Sequence, residues 1–257
     1  MNQAVTLPDP WKTPIEDIDV SDTRLYEQDA WRPYFERLRR EDPVHYRAES
    51  PFGPFWSVTR FDDIVAVDSN FEDFSSEPTI VIGDLNDDIP FEMFIAMDPP
   101  KHDEQRRAVQ SVVAPRNLAE MEGLIRTRVV DILDDLPVGE TFDWVERVSI
   151  NLTTQMLATL FNFPFEERSK LTYWSDIAAG SPEIAGGDVP HDERVAGLTE
   201  CLQTFTRLWH ERKGGEAGFD LISLLQRDPS TADLPERPME FLGNLCLLIV
   251  GGNDTTR

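Results

Sequence analysis

Apolar residues recur along most of the chain with a helical period. Leu118, Met121, Leu124, Ile125, Val129, Ile132 and Leu133 fall at i, i+3 and i+4, the stripe by which a helix buries one face. The same spacing predicts helices over residues 30–42, ended by Pro43, and over 61–70, 99–113, 117–136, 143–161, 166–180, 195–213, 219–228 and 237–252. Strand-like alternation is confined to VHYRAES (44–50) and FWSVTR (55–60), which the turn-rich PFGP around Gly53 joins as a hairpin. The fold expected is mainly α with a small β-hairpin, after a proline-spaced N-terminal arm. No internal repeat or low-complexity tract interrupts it.

One stretch has neither period. Residues 75–97 mix Pro78, Gly83, Pro90 and acids with Ile80, Val81, Ile82, Phe91, Phe94 and Ile95, which reads as a long loop with apolar teeth. Loops of that length in compact domains often wall a binding site. Residues 180–187 and GGEAG (214–218) read as shorter loops between helices.

Two helical segments carry residues with chemistry. In AMDPPKHDEQRRAV, Asp98 is placed to cap a helix and Pro99 suits its first turn. His102 and Arg106 then share one face, four residues apart, as a fork for carboxylates; a solvated charged face is the plainer alternative. In LCLLIVGGNDTTR, Leu247, Leu248, Gly251 and Thr255 form a stripe with Val250 and Asp254 beside it. Glycine inside a helix costs about 0.5–1 kcal/mol against alanine, so Gly251 and Gly252 need a reason. A hollow one turn before a hydroxyl would admit something flat or small, with an acid and an alcohol as a two-station proton relay. A glycine C-cap or a notch for helix packing explains the same letters.

Composition narrows the field. The 257 residues, 40% of them hydrophobic, suffice for a sizeable core, read here as one domain over 1–257. Forty-eight acids against 24 Lys and Arg give a net charge of −24, which argues against nucleic acid as a partner. Cys201 and Cys246 stand far apart without metal-ligand spacing and read as buried free thiols. The apolar run at 241–250 is far shorter than the ~20 residues of a membrane span, and the N-terminus lacks the apolar run of a secretory leader, so a cytoplasmic location is expected.

Taken in order, DPPKHDEQRR on a helix after an apolar-toothed loop, then LLIVGGNDTT on a late helix, resemble the first part of a bacterial cytochrome P450, a haem-thiolate monooxygenase. The family's (A/G)Gx(D/E)T signature stands as Gly251, Gly252, Asn253, Asp254 and Thr255. More narrowly, MFIAMDPPKHDEQRR and LIVGGNDTTR are similar to the soluble alkane terminal hydroxylases. The resemblance implies that His102 and Arg106 hold the propionates of haem b, and that Gly251 and Gly252 let haem and dioxygen approach the helix. It implies that Thr255 hydrogen-bonds the bound oxygen or its water, that Asp254 passes protons, and that Phe94, Ile95, Leu247 and Val250 wall a small apolar substrate. It further implies electrons from NAD(P)H through a ferredoxin reductase and a ferredoxin. Lys101, Arg107 and Arg116 are a candidate docking patch, with ordinary surface solvation as the alternative.

The chain departs from the family at one point. The family's cysteine ligand follows an ExxR pair well after this helix, and neither Cys201 nor Cys246 has the surroundings of a thiolate ligand, so no metal ligand is expected within this chain. The sequence is therefore expected to be an N-terminal fragment, inactive alone and prone to aggregate. Two rival readings stay open: a member of the family acting on terpene- or polyketide-type substrates, and a haem-free helical interaction protein.

Overall fold

A computed structural model of the chain describes residues 6–82, 90–179, 189–215 and 218–256, and its contacts divide the chain into two units, residues 1–88 and 89–257. The loop expected at 180–187 lies outside the described residues, as do Gly83 in the long loop and Glu216 and Ala217 in GGEAG.

Among its described residues the first unit holds three helices, α1 (Arg24–Glu27), α2 (Trp31–Glu41) and α3 (Phe61–Asp68), and two antiparallel strands, β1 (Val44–Arg47) and β2 (Phe55–Val58). The hairpin pairs Val44 with Val58 and Arg47 with Phe55. The arm is more ordered than its prolines suggest: a 3-10 turn at Ile15–Asp17 and α1 bring Ile18, Val20 and Leu25 against Tyr34 and Leu38 of α2. His45 is buried in β1, its ring spanning the Asp42 carboxylate (2.8 Å) and the Ile18 carbonyl (2.9 Å).

The regular elements among the described residues of the second unit are helices. Its helices are α4 (Lys101–Gln110), α5 (Pro115–Asp134), α6 (Asn151–Leu160), α7 (Ser169–Ala179), α8 (His191–Arg212), α9 (Leu221–Arg227) and α10 (Pro238–Asn253). Three details depart from the pattern read in the sequence. α4 starts at Lys101 with Pro100 at its N-cap, two residues after the expected first turn at Pro99, and the Asp98 carbonyl accepts from the His102 N–H (3.1 Å). The turns before α6 are a π-helix, Val145–Ile150, which hydrophobic spacing alone does not distinguish from α. α8 begins at His191, before its apolar stripe does. The long loop is irregular where described, apart from a 3-10 turn at Phe94–Ala96.

The core of this unit is aromatic at its centre. Phe161, Phe163, Trp174 and Phe205 stack edge-on or tilted at 5.2 to 5.9 Å, and Trp209 meets Phe241 edge-on at 5.2 Å. α10 runs through this core, packing on α6, α7 and α8. Its first half is buried on every side, from Glu240 to Cys246 without a break. Such a helix must find partners for its polar side chains inside the protein.

Candidate functional site

α10 changes character at Leu247. Ile249 and Asn253 stay buried, whereas Leu247, Leu248, Val250 and Asp254 are half-buried and Gly251 and Thr255 are exposed. A methyl group built on Gly251 meets nothing within 4 Å. The neighbouring Gly252 is its opposite: a methyl there would stand 2.5 Å from Cδ2 and 3.1 Å from Cγ of Leu157 in α6. The two glycines thus face different ways, Gly251 onto the open face and Gly252 onto a helix contact. Thr255 donates its hydroxyl to the Gly251 carbonyl (2.6 Å), a back-bond of the kind that bends helix ends. Thr255 and Gly251 therefore stand on one open face, with Leu247 and Val250 supplying apolar surface and Asp254 at the next position.

The other half of the site enters through Phe94. Its N–H donates to Asn244 Oδ1 (2.9 Å), which pins the 3-10 turn to α10 about 10 Å before Gly251, seven residues at the helical rise. Gly243 permits the approach, because a methyl there would lie 2.4 Å from the Glu92 carbonyl oxygen. The Phe94 carbonyl in turn accepts from His102 Nδ1 (2.8 Å), and the two rings meet edge-on at 6.2 Å. A carbonyl can only accept, so Nδ1 carries the hydrogen and Nε2 is left for another partner. When the ring is protonated, Nε2 becomes a second donor and can grip a carboxylate. Arg106 is exposed one turn further along α4 and makes no ion pair or side-chain hydrogen bond among the described residues. An unpartnered guanidinium is notable on a chain of net charge −24.

The expected wall residues divide between these halves. Phe94 is buried and serves mainly through its backbone, while Ile95 beside it is 37% exposed. The cysteines take no part: both are free and buried, and burial, with Cys246 beside it, pushes the Cys201 thiol well up. The described residues contain no group of three or more His, Cys, Asp or Glu able to hold a metal ion. Of the candidate docking patch, Lys101 turns inward to Glu240 (2.9 Å) and Arg116 pairs with Glu120 (3.5 Å), which leaves Arg107.

The residues present fit part of a haem. A macrocycle with carboxylates at one edge would call for a cationic fork, which His102 and Arg106 supply on α4, and for a helix surface that no side chain obstructs, which Gly251 supplies on α10. They do not supply the iron ligand, since neither thiol reaches that face: Cys201 is fully buried, and Cys246 belongs to the buried half of α10.

Sequence hides one part of this arrangement. Glu240, Gln105 and Asn244 are buried and bonded to one another, though their letters look like ordinary polar positions of two amphipathic helices.

No protein-family model matches the chain. Among solved structures, cytochrome P450-153 from Novosphingobium aromaticivorans is 41% identical and superposes with a TM-score of 0.82, over 96% of this chain and 60% of its own. Linalool 8-monooxygenase of Pseudomonas putida is 29% identical over 253 residues, 93% of this chain and 61% of its own length. A methyl-branched lipid omega-hydroxylase of Mycobacterium tuberculosis is 24% identical over 265 residues, 95% of this chain and 61% of its own. The chain thus spans about three-fifths of the length of the relatives it matches.

Proposed function

The chain is similar to cytochrome P450s over nearly its whole length and takes the N-terminal part of their fold; from that premise we propose that it forms the propionate grip and the oxygen-side helix of a haem-thiolate monooxygenase. The observation that carries the reading is the open face of α10, where Gly251 has no neighbour on its Cα hydrogen side and Thr255 bonds the Gly251 carbonyl.

In this reading His102 and Arg106 bind the two carboxylates and orient the macrocycle against α10. When bound, the haem supplies reductive activation of dioxygen for insertion of one oxygen atom into a C–H bond. Thr255 is able to exchange its bond to the Gly251 carbonyl for one to an oxygen or water at Gly251, and Asp254 delivers the proton to that position. Leu247, Val250 and Ile95 keep water out and give an apolar chain surface to bury, at roughly 25 cal/mol per Å2. The iron ligand comes from a cysteine other than Cys201 and Cys246.

The substrate class we favour is the end of a medium-chain alkane or fatty chain, for which the name of the omega-hydroxylase relative is a support. The name of the linalool relative supports the second reading, a terpene-type substrate on the same proton relay. Electrons reach the site from NAD(P)H through a reductase and a ferredoxin, with Arg107 the cation of the expected patch that remains free to meet an acidic partner. No helix among the described residues is long and apolar enough to cross a membrane, in keeping with the cytoplasmic location we propose.

The test is made in a polypeptide that carries this sequence together with a cysteine ligand. The reduced carbon monoxide complex should show the thiolate spectrum, and Thr255→Ala should divert reducing equivalents to hydrogen peroxide. Absence of the thiolate spectrum sinks the reading; unchanged coupling in the variant removes the role of Thr255.

A further inference from the structure

α10 and α4 share a buried chain of polar side chains in which every hydrogen bond runs the same way. The Phe94 N–H donates to Asn244 Oδ1 (2.9 Å), Asn244 Nδ2 donates to Gln105 Oε1 (2.8 Å), and Gln105 Nε2 donates to Glu240 Oε1. Glu240 also receives Lys101 (2.9 Å) and Arg237. Glu240, Asn244 and Gln105 are 3%, 1% and 1% exposed. An amide has two faces of opposite polarity and nothing in its shape to choose between them. Here both ends make the choice: the Glu240 carboxylate can only accept and the Phe94 N–H can only donate, so Gln105 and Asn244 are held between them each in one orientation. Such chains polarise along their length.

We infer that Glu240 is a remote positioning residue for the carboxylate grip, acting through Gln105 and Asn244 on the backbone of Phe94 and thereby on the orientation of the His102 ring. The last link is the Phe94 carbonyl, which holds Nδ1–H of His102 and leaves Nε2 outward. The same chain anchors the turn that carries Ile95 to the buried half of α10. The inference rests on the reading of His102 as a carboxylate ligand only for its meaning in catalysis; the positioning itself is a property of this chain.

Two variants test it in the 257-residue protein. Glu240→Gln replaces the acceptor by an amide that presents either polarity, and Asn244→Ala removes the last acceptor. The Phe94 amide should exchange with solvent about tenfold faster in each, the loss of roughly one buried hydrogen bond. Nitrogen-15 spectra of the His102 ring, assigned by its absence in His102→Gln, should change from a single Nδ1–H tautomer to a mixture. Asn244→Asp, which still accepts from the Phe94 N–H, should retain the Phe94 protection, and it serves if Asn244→Ala fails to fold. Lys101→Met removes one partner of Glu240 outside the chain and should leave His102 unchanged. A His102 tautomer and Phe94 protection that persist in both Glu240→Gln and Asn244→Ala overturn the inference. Failure of the intact enzyme to bind haem while the tautomer still responds to Glu240 would overturn the function proposed above and leave the positioning chain standing.

Discussion

Gly251 and Gly252 are adjacent in sequence and opposite in consequence, and a comparison of their alanine variants isolates one energy. In either variant the helix gains the same backbone term, about 0.5–1 kcal/mol at an interior position. At Gly251 nothing opposes it, because the new methyl meets no atom within 4 Å. At Gly252 the methyl arrives 2.5 Å from Cδ2 and 3.1 Å from Cγ of Leu157, a side chain only 2% exposed with little room to move aside. Overpacking of that kind costs about 1–3 kcal/mol. The helix term cancels in the difference, so Gly252→Ala should be less stable than Gly251→Ala by about 1–3 kcal/mol.

Urea unfolding followed by circular dichroism reads this directly, as a lower midpoint for Gly252→Ala at an unchanged slope. Leu157→Ala supplies the control. By itself it should cost about 2–5 kcal/mol through the cavity it leaves, but in its background Gly252→Ala loses its obstacle and should become neutral or stabilising. The coupling energy of the double-mutant cycle should then equal the overpacking cost, about 1–3 kcal/mol. Equal midpoints for the two alanine variants, or additivity of Leu157→Ala with Gly252→Ala, would refute the assignment of the two glycines to different faces. Haem affinity in the intact enzyme should reverse the order, with Gly251→Ala the more damaging.

Three other outcomes follow from the structure. Burial works against ionisation of Glu240, but Lys101, Gln105 and Arg237 outweigh it and hold the carboxyl below its ordinary value; its contribution is therefore complete above the unfolded value of about 4.3 and lost as pH falls through the lower folded value, so acid titrations of stability should flatten in that window for Glu240→Gln. Cys201 and Cys246 are buried, and the Cys201 thiol is pushed up, so a thiol reagent at pH 8 should label neither in the folded protein and both in urea; rapid labelling of native Cys201 would contradict its packing. Asn162, at φ 49°, ends α6 in the left-handed region, where the Phe163 N–H reaches back to the Ala158 carbonyl; Asn162→Val should lower stability by about 1–2 kcal/mol while Asn162→Gly does not.

How much of this could be read from the sequence depends on what each element needs from its neighbours. α5 was legible because its apolar stripe repeats over five turns, although only Ile132 of that stripe is buried and Leu118, Leu124 and Leu133 stay exposed, and the hairpin was legible because its two strands alternate around Gly53. The His102–Arg106 fork and the Gly251–Thr255 face were legible as spacing, since residues four apart on a helix share a side whatever surrounds them. The division of labour between Gly251 and Gly252 was not, because it depends on where Leu157 lies, ninety-odd positions away in sequence. The π-turns at 145–150 and the start of α4 at Lys101 were missed because hydrophobic spacing tolerates one residue more or less per turn.

The least legible part is also the one that joins the two motifs. Within α10, Glu240 and Asn244 stand four apart, and on an isolated helix they would look like a polar stripe facing water. They are buried because α4 brings Gln105 between them, one amide bonding to each, while Lys101 and Arg237 neutralise the carboxylate. A buried carboxylate that lost these partners would be strongly destabilising, and a leucine there would pack without them. Retaining the charge therefore makes more sense as orientation than as stability: with the Phe94 N–H at the other end it holds two otherwise ambiguous amides, next to the Phe94 carbonyl that holds His102. On this argument the sequence distance between DPPKHDEQRR and LLIVGGNDTT is bridged by Gln105 of the first helix and by Glu240 and Asn244, which precede the second motif on α10, and these three hold the two helices in register.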